Sequence, residues 1–101
     1  MSTETGASLI AAERQRQIKA EGWTPEHDAQ HLHGELARAG AVYAMEAVGY
    51  DQFPSWWWPQ GWQFKRASSV RMLAKAGALI AAEIDRLLAK DSTEGTGDAP
   101  D

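Results

Sequence analysis

At 101 residues, with a formal charge of −4 and no cysteine, the chain has the length of one domain and cannot build a disulfide, a zinc knuckle or a thiol nucleophile. Asp91, Glu94, Asp98 and Asp101 carry the whole of the net charge, so residues 1–90 are neutral. A neutral body argues against duplex nucleic acid and an anionic membrane as partners, since both need a basic face. No apolar run approaches the roughly 18 residues of a membrane span and no charged-then-apolar leader opens the chain, which predicts a soluble cytoplasmic protein.

Met1 to Gly6 are polar and are expected to be flexible. The first helix is predicted over Ala7–Glu21, from the strong helix formers of Ala-Ala-Glu-Arg-Gln-Arg-Gln-Ile-Lys-Ala-Glu, with Gly22 as its stop. Trp23 follows where an apolar residue commonly folds back on the last turn. Leu9, Ile10 and Ile18 form only a thin apolar set, so this helix packs through a narrow stripe.

Thr24-Pro25-Glu26 is a start signal: a cap residue, a proline at the first helical position and an acid in the first turn. A second helix is predicted over Pro25–Val48, with Leu32, Leu36, Ala39, Val42 or Tyr43, and Met45 at helical spacing. Gly34 and Gly40 lie inside it. Each costs about 1 kcal/mol against alanine, so the alternatives are a break near His33-Gly34 or a close helix contact through the small residues.

Gly49 ends that pattern, and an irregular aromatic segment fills Tyr50–Phe64. Four of the five tryptophans lie between Trp56 and Trp62. Pro54, Pro59 and Gly61 forbid a continuous helix there and discourage a central strand. So much indole in a kinked connector must cover a core, line a pocket or meet a partner. A third helix is predicted over Ala67–Lys90. Val70, Leu73, Gly77, Ile80, Ile84 and Leu87 alternate at three and four residues as its apolar seam. Ala74, Ala76, Ala78, Ala81 and Ala82 keep it slim, and Glu83 with Arg86 reads as a solvated pair. Residues 91–101 lack any large apolar side chain and read as a disordered acidic tail. The expected fold is therefore all-α: a three-helix bundle over residues 7–90, with an irregular Trp/Pro-rich insert between helices two and three.

Two clusters can carry chemistry. Trp57, Trp58 and Trp62, with Trp23, stand in sequence near Lys65, Arg66, Arg71 and Lys75. An indole face stacks on a base while ammonium and guanidinium groups meet phosphate. The competing structural role is a cap on the helices, with the bases snorkelling around it. The second cluster is His27, Asp28, His31 and Glu35. His27, His31 and Glu35 share one helix face at i, i+4 and i+8, a spacing able to hold magnesium or manganese. The competing role there is a capped helix start and a solvated face. Glu13, Gln17 and Glu21 form a stripe on the first helix that would complete such a centre, or would simply bridge to Arg14, Arg16 and Lys19.

Several enzyme classes lack their motifs. The ExxE and ExxD pairs of MazG-type nucleotide pyrophosphohydrolases are absent, and no histidine precedes His27-Asp28 as an HD phosphohydrolase requires. There is no GxxxxGK loop and no GxSxG elbow.

Glu13-Arg14-Gln15-Arg16-Gln17 through Glu21-Gly22-Trp23-Thr24-Pro25-Glu26-His27-Asp28, then Gly34-Glu35-Leu36-Ala37, and Lys75-Ala76-Gly77-Ala78-Leu79-Ile80-Ala81-Ala82-Glu83-Ile84-Asp85-Arg86-Leu87, resemble a family of small proteins encoded by bacteriophages and prophages. The resemblance covers most of residues 10–88 and implies a bacterial host cell as the setting, with no activity attached.

The leading expectation is a non-enzymatic binding protein that uses Trp23, Trp57, Trp58, Trp62, Lys65, Arg71 and Lys75 to hold a nucleotide-like anion or a host protein, without a cofactor. One alternative is a magnesium- or manganese-dependent nucleotide hydrolase with Glu13, Gln17, Glu21, His27, Asp28, His31 and Glu35 converging on the metal. The other is an interaction module that forms a homodimer through the aromatic insert.

Overall fold

The computed structural model describes residues 3–24 and 33–94, with side chains through Lys90. All regular structure among the described residues is helical: α1 (Gly6–Glu21), α2 (Glu35–Ala47), a single 3₁₀ turn (Ser55–Trp57) and α3 (Ser69–Glu94). Helix α3 packs on both of the others.

The start of α1 is tighter than its polar sequence suggests. Thr5 Oγ1 accepts the Ser8 N–H at 3.1 Å, and Ser8 Oγ accepts the Thr5 N–H at 2.8 Å, a reciprocal capping box. The flexible segment expected up to Gly6 is thus held from Thr5 onward. The other end of α1 stops at Gly22 as expected.

The single helix expected over Pro25–Val48 is interrupted. Gly34 takes φ 77°, a left-handed conformation that ends any helix arriving from before it, and α2 starts one residue later. Residues 25–32, with His27, Asp28 and His31, lie outside the described residues. At the far end of the chain α3 continues past Lys90 to Glu94, so the acidic tail begins as helix.

The largest departure concerns α3. The expected core seam faces outward: Val70 is 60% exposed, Leu73 44%, Ile80 46%, Ile84 51% and Leu87 44%. The buried face instead carries Met72, Ala76, Leu79 and Ala82, which meet Leu36, Ala39, Tyr43 and Ala47 of α2. The reason is size. Small residues let the backbones close: a Cβ on Gly40 would stand 3.2 Å from the Ala76 carbonyl oxygen. Dense contact at short range replaces the bulkier aliphatic seam. Glu83 and Arg86 also differ from the expected solvated pair. They form a two-pronged ion pair at 2.8 and 3.0 Å with side chains only 15% and 9% exposed.

Trp23, Trp58, Trp62, Phe64 and Ala67 pack over the α2–α3 core. Buried Arg14 ties α1 to this assembly by donating to the Trp23 carbonyl at 3.1 Å and to Asp85 of α3 at 3.4 Å.

Candidate functional site

The aromatic segment is built by local turns. The 3₁₀ turn rotates successive residues by about 120°, so Trp56, Trp57 and Trp58 point three ways. Trp56 is 63% exposed, Trp57 stacks on Phe53 (centroids 5.5 Å apart, planes 11° apart), and Trp58 turns toward the helices. Next, Trp62 N–H donates to the Pro59 carbonyl at 3.2 Å across a tight turn whose third residue, Gly61, has φ 86°, a value glycine supplies without strain. The Trp58 Nε1–H closes the loop on the Trp62 carbonyl at 2.7 Å. Trp58 then lies edge-on to Trp62, Tyr43 and Phe64, and Trp62 tilts against Trp23 at 6.1 Å. Tyr43 is fixed in turn: it stacks on Phe64 and its hydroxyl accepts the Lys65 N–H at 3.0 Å.

Beside these rings lies a cavity of about 480 Å³, within the range of small-molecule sites. Its aromatic wall is Trp23, Tyr43, Trp58 and Trp62; its charged wall is Glu13, Arg16, Glu21, Lys65, Arg71 and Lys75. Six of the seven residues expected to touch ligand therefore line one space, while Trp57 stands outside it for the rotational reason above. Of the expected metal residues, Glu35 starts α2, where its Oε1 accepts the His33 N–H at 2.7 Å, and it does not line the cavity. No group of three or more histidine, aspartate and glutamate side chains stands together among the described residues.

Sequence reasoning missed Tyr43 as part of this space. Of its two readings of the Glu13–Gln17–Glu21 stripe, the bridge to Arg16 is the one seen, at 2.7 Å to Glu13 and 3.1 Å to Glu21, and the i, i+4, i+8 spacing correctly put all three on one face. That face forms the cavity's α1 wall.

The cations there divide into two kinds. Arg16 is engaged by both acids: it donates to both Glu13 oxygens at 2.9 and 2.7 Å and to Glu21 at 3.1 Å. Lys65 Nζ meets the other Glu21 oxygen at 3.2 Å. Burial raises the Glu13 pKa, but the Arg16 hydrogen bond and charge, Gln17 and Lys75 outweigh it and hold the carboxyl below its ordinary value of 4.5. Arg71 and Lys75, one turn apart on α3, have no carboxylate within ion-pair distance among the described residues. Burial pushes the Lys75 ammonium below its ordinary 10.5; the Glu13 charge opposes this, and the charges of Arg16 and Arg71 reinforce it. Its Nζ rests 5.5 Å from the Tyr43 ring centroid. Gln17, 2% exposed, donates Nε2–H to Glu13 at 3.2 Å, while its Oε1 has no donor among the described residues.

No protein-family model, curated protein or solved structure matches this chain. Among the described residues, no helix is long and apolar enough to cross a membrane.

Proposed function

We propose that this chain is a small binding protein that holds an aromatic phosphomonoester, nucleotide-like in build, in the cavity between α1, α3 and the tryptophan segment. The helices are read as a three-helix bundle and the segment as its lid. The observation that carries the proposal is the pairing of a ring-lined wall with two unneutralised cations, Arg71 and Lys75, in one space. The base stacks against Trp23, Trp58 or Trp62, a contact worth about 1–3 kcal/mol. The phosphate meets Arg71 and Lys75.

Charge narrows the ligand further. Four cations and two carboxylates leave the wall with two positive charges in excess, which matches a monoester at about −1.5 to −2. A triphosphate would bring surplus charge toward Glu13 and Glu21. Sequestration of such a ligand without turnover suits the phage setting that the resemblance implies, inside the host cell.

The metal-dependent hydrolase has less support, because both wall carboxylates are already engaged by Arg16 and Lys65. Pairing of copies through the aromatic insert has less support, since its exposed aromatics are Tyr50 and Trp56 while Trp58 and Trp62 pack on the chain's own core.

The test is tryptophan fluorescence titrated with AMP, ATP, adenosine and inorganic phosphate. Quenching by AMP at lower concentration than by the other three is expected. Arg71→Ala and Lys75→Ala should each weaken AMP about tenfold to a hundredfold, the worth of one charge-assisted hydrogen bond. No response to any of the four ligands would end the proposal.

A further inference from the structure

Helix α3 packs on α2 and, around Gly77, on Ile10 of α1, and it carries a further apolar stripe that is largely exposed. The outward stripe of Val70, Leu73, Ile80, Ile84, Leu87 and Leu88 is 44–60% exposed throughout. Its 3-4 spacing is that of a coiled-coil seam. The single gap in the pattern, Gly77, is filled from α1: three side-chain atoms of Ile10 lie within 3.2 Å of where a Gly77 Cβ would stand. The stripe is therefore continuous along most of a 26-residue helix.

We propose that this stripe is the interface of a homodimer, with α3 packed antiparallel on α3 of a second copy about a two-fold axis near Ile80. Three observations select a second copy over another partner. The first is area. The exposed fractions amount to about 500 Å² of apolar surface per chain, near the upper end for a monomer, and two copies together bury roughly 1,000 Å², above most lattice contacts and the size of a weak, reversible dimer. The second is charge. The acids beside the stripe are already matched within the chain, Asp85 by Arg14 and Glu83 by Arg86. The face is neutral, so like meets like without repulsion and a charged partner finds nothing to pair with. The third is size: a small core in which half of the buried residues are alanines leaves burial to be gained by self-association.

Direction follows from charge and shape. Residues 91–101 carry −4 with no base. Parallel helices would set two such segments side by side, whereas antiparallel helices place them at opposite ends. The antiparallel register also sets Leu73 against Leu87 and Ile80 against Ile80, so apolar side chains meet along the seam. This interface leaves the cavity untouched, and its failure would say nothing about ligand binding.

Light scattering over about 1–300 µM is expected to show a rise from the chain mass to twice that mass. Ile84→Glu should abolish the rise while keeping the helical circular dichroism signal, because the side chain points away from the core. Trp56→Ala should leave the rise intact. The chain has no cysteine, so Ile80→Cys alone should form a disulfide-linked dimer under mild oxidation. Leu73→Cys should link only when mixed with Leu87→Cys. A wild-type monomer across the whole range overturns the proposal. So does dimerisation lost with Trp56→Ala but kept with Ile84→Glu. Linkage of Leu73→Cys to itself overturns the antiparallel arrangement.

Discussion

Replacing Gly77 with alanine sets two effects against each other. Helix propensity favours the change by about 1 kcal/mol, since alanine gives up less backbone entropy than glycine in a helix interior. Packing opposes it. A Cβ at residue 77 would come within 2.5 Å of Ile10 Cδ1, 2.7 Å of Cγ1 and 3.2 Å of Cγ2. These atoms include the branch point's own substituents, and a β-branched side chain in a helix has one strongly preferred rotamer. Ile10 cannot swing aside, so α1 must shift on α3, an overpacking cost of about 1–3 kcal/mol. The expected net is a loss of about 1 kcal/mol, or roughly 4–8 °C in melting temperature for a domain of this size. The decisive measurement is the double-mutant cycle with Ile10→Ala, by urea or thermal unfolding at one protein concentration. With Ile10 truncated the obstacle is gone, and Gly77→Ala should stabilise by about 1 kcal/mol. The coupling is then about 2 kcal/mol and the effect changes sign between backgrounds. If Gly77→Ala stabilises both equally, Ile10 does not sit on Gly77 and the described packing of α1 on α3 is wrong.

Tyr43→Phe removes the acceptor for the Lys65 N–H and should cost about 1–2 kcal/mol in unfolding free energy; an unchanged urea midpoint would mean that this hydrogen bond does not anchor the aromatic segment. Because the Glu13 pKa is lowered in the fold, its share of stability is present above its ordinary 4.5 and is lost as pH falls through the folded value. Glu13→Gln should therefore be less stable than wild type at pH 7, with the gap closing below about pH 4.5; a gap constant from pH 7 to pH 3 would contradict the Arg16 pairing. The Lys75 pKa is lowered as well, which for an ammonium means that its charge fades at a lower pH than an ordinary lysine's. AMP affinity should rise as its phosphate ionises near pH 6 and fall again as pH climbs through the lowered Lys75 value. A titration that stays flat up to and beyond the ordinary lysine value of 10.5 would place the phosphate elsewhere.

Much was legible in the linear order of residues because it depends on near neighbours alone. Helical periodicity, Gly22 as the stop of α1, and the inability of Pro54, Pro59 and Gly61 to sit in regular structure are local facts, and they sufficed for an all-helical chain with an irregular aromatic connector. Proximity in sequence also put Trp58, Trp62, Lys65, Arg71 and Lys75 on one list, and all five line the cavity. What required three dimensions was every choice between equivalent faces. Helix α3 carries alanines with Met72 and Leu79 on one side and branched aliphatics on the other. A 3.6-residue period identifies both stripes and ranks the bulkier one first. Tertiary packing reversed that order, because α2 approaches a face of alanines closely enough to give its backbone, at Gly40, contact with Ala76. The same long-range choice brought Glu13, Gln17 and Glu21 beside the tryptophans, and turned one of three consecutive indoles to the cavity while leaving its neighbours outside.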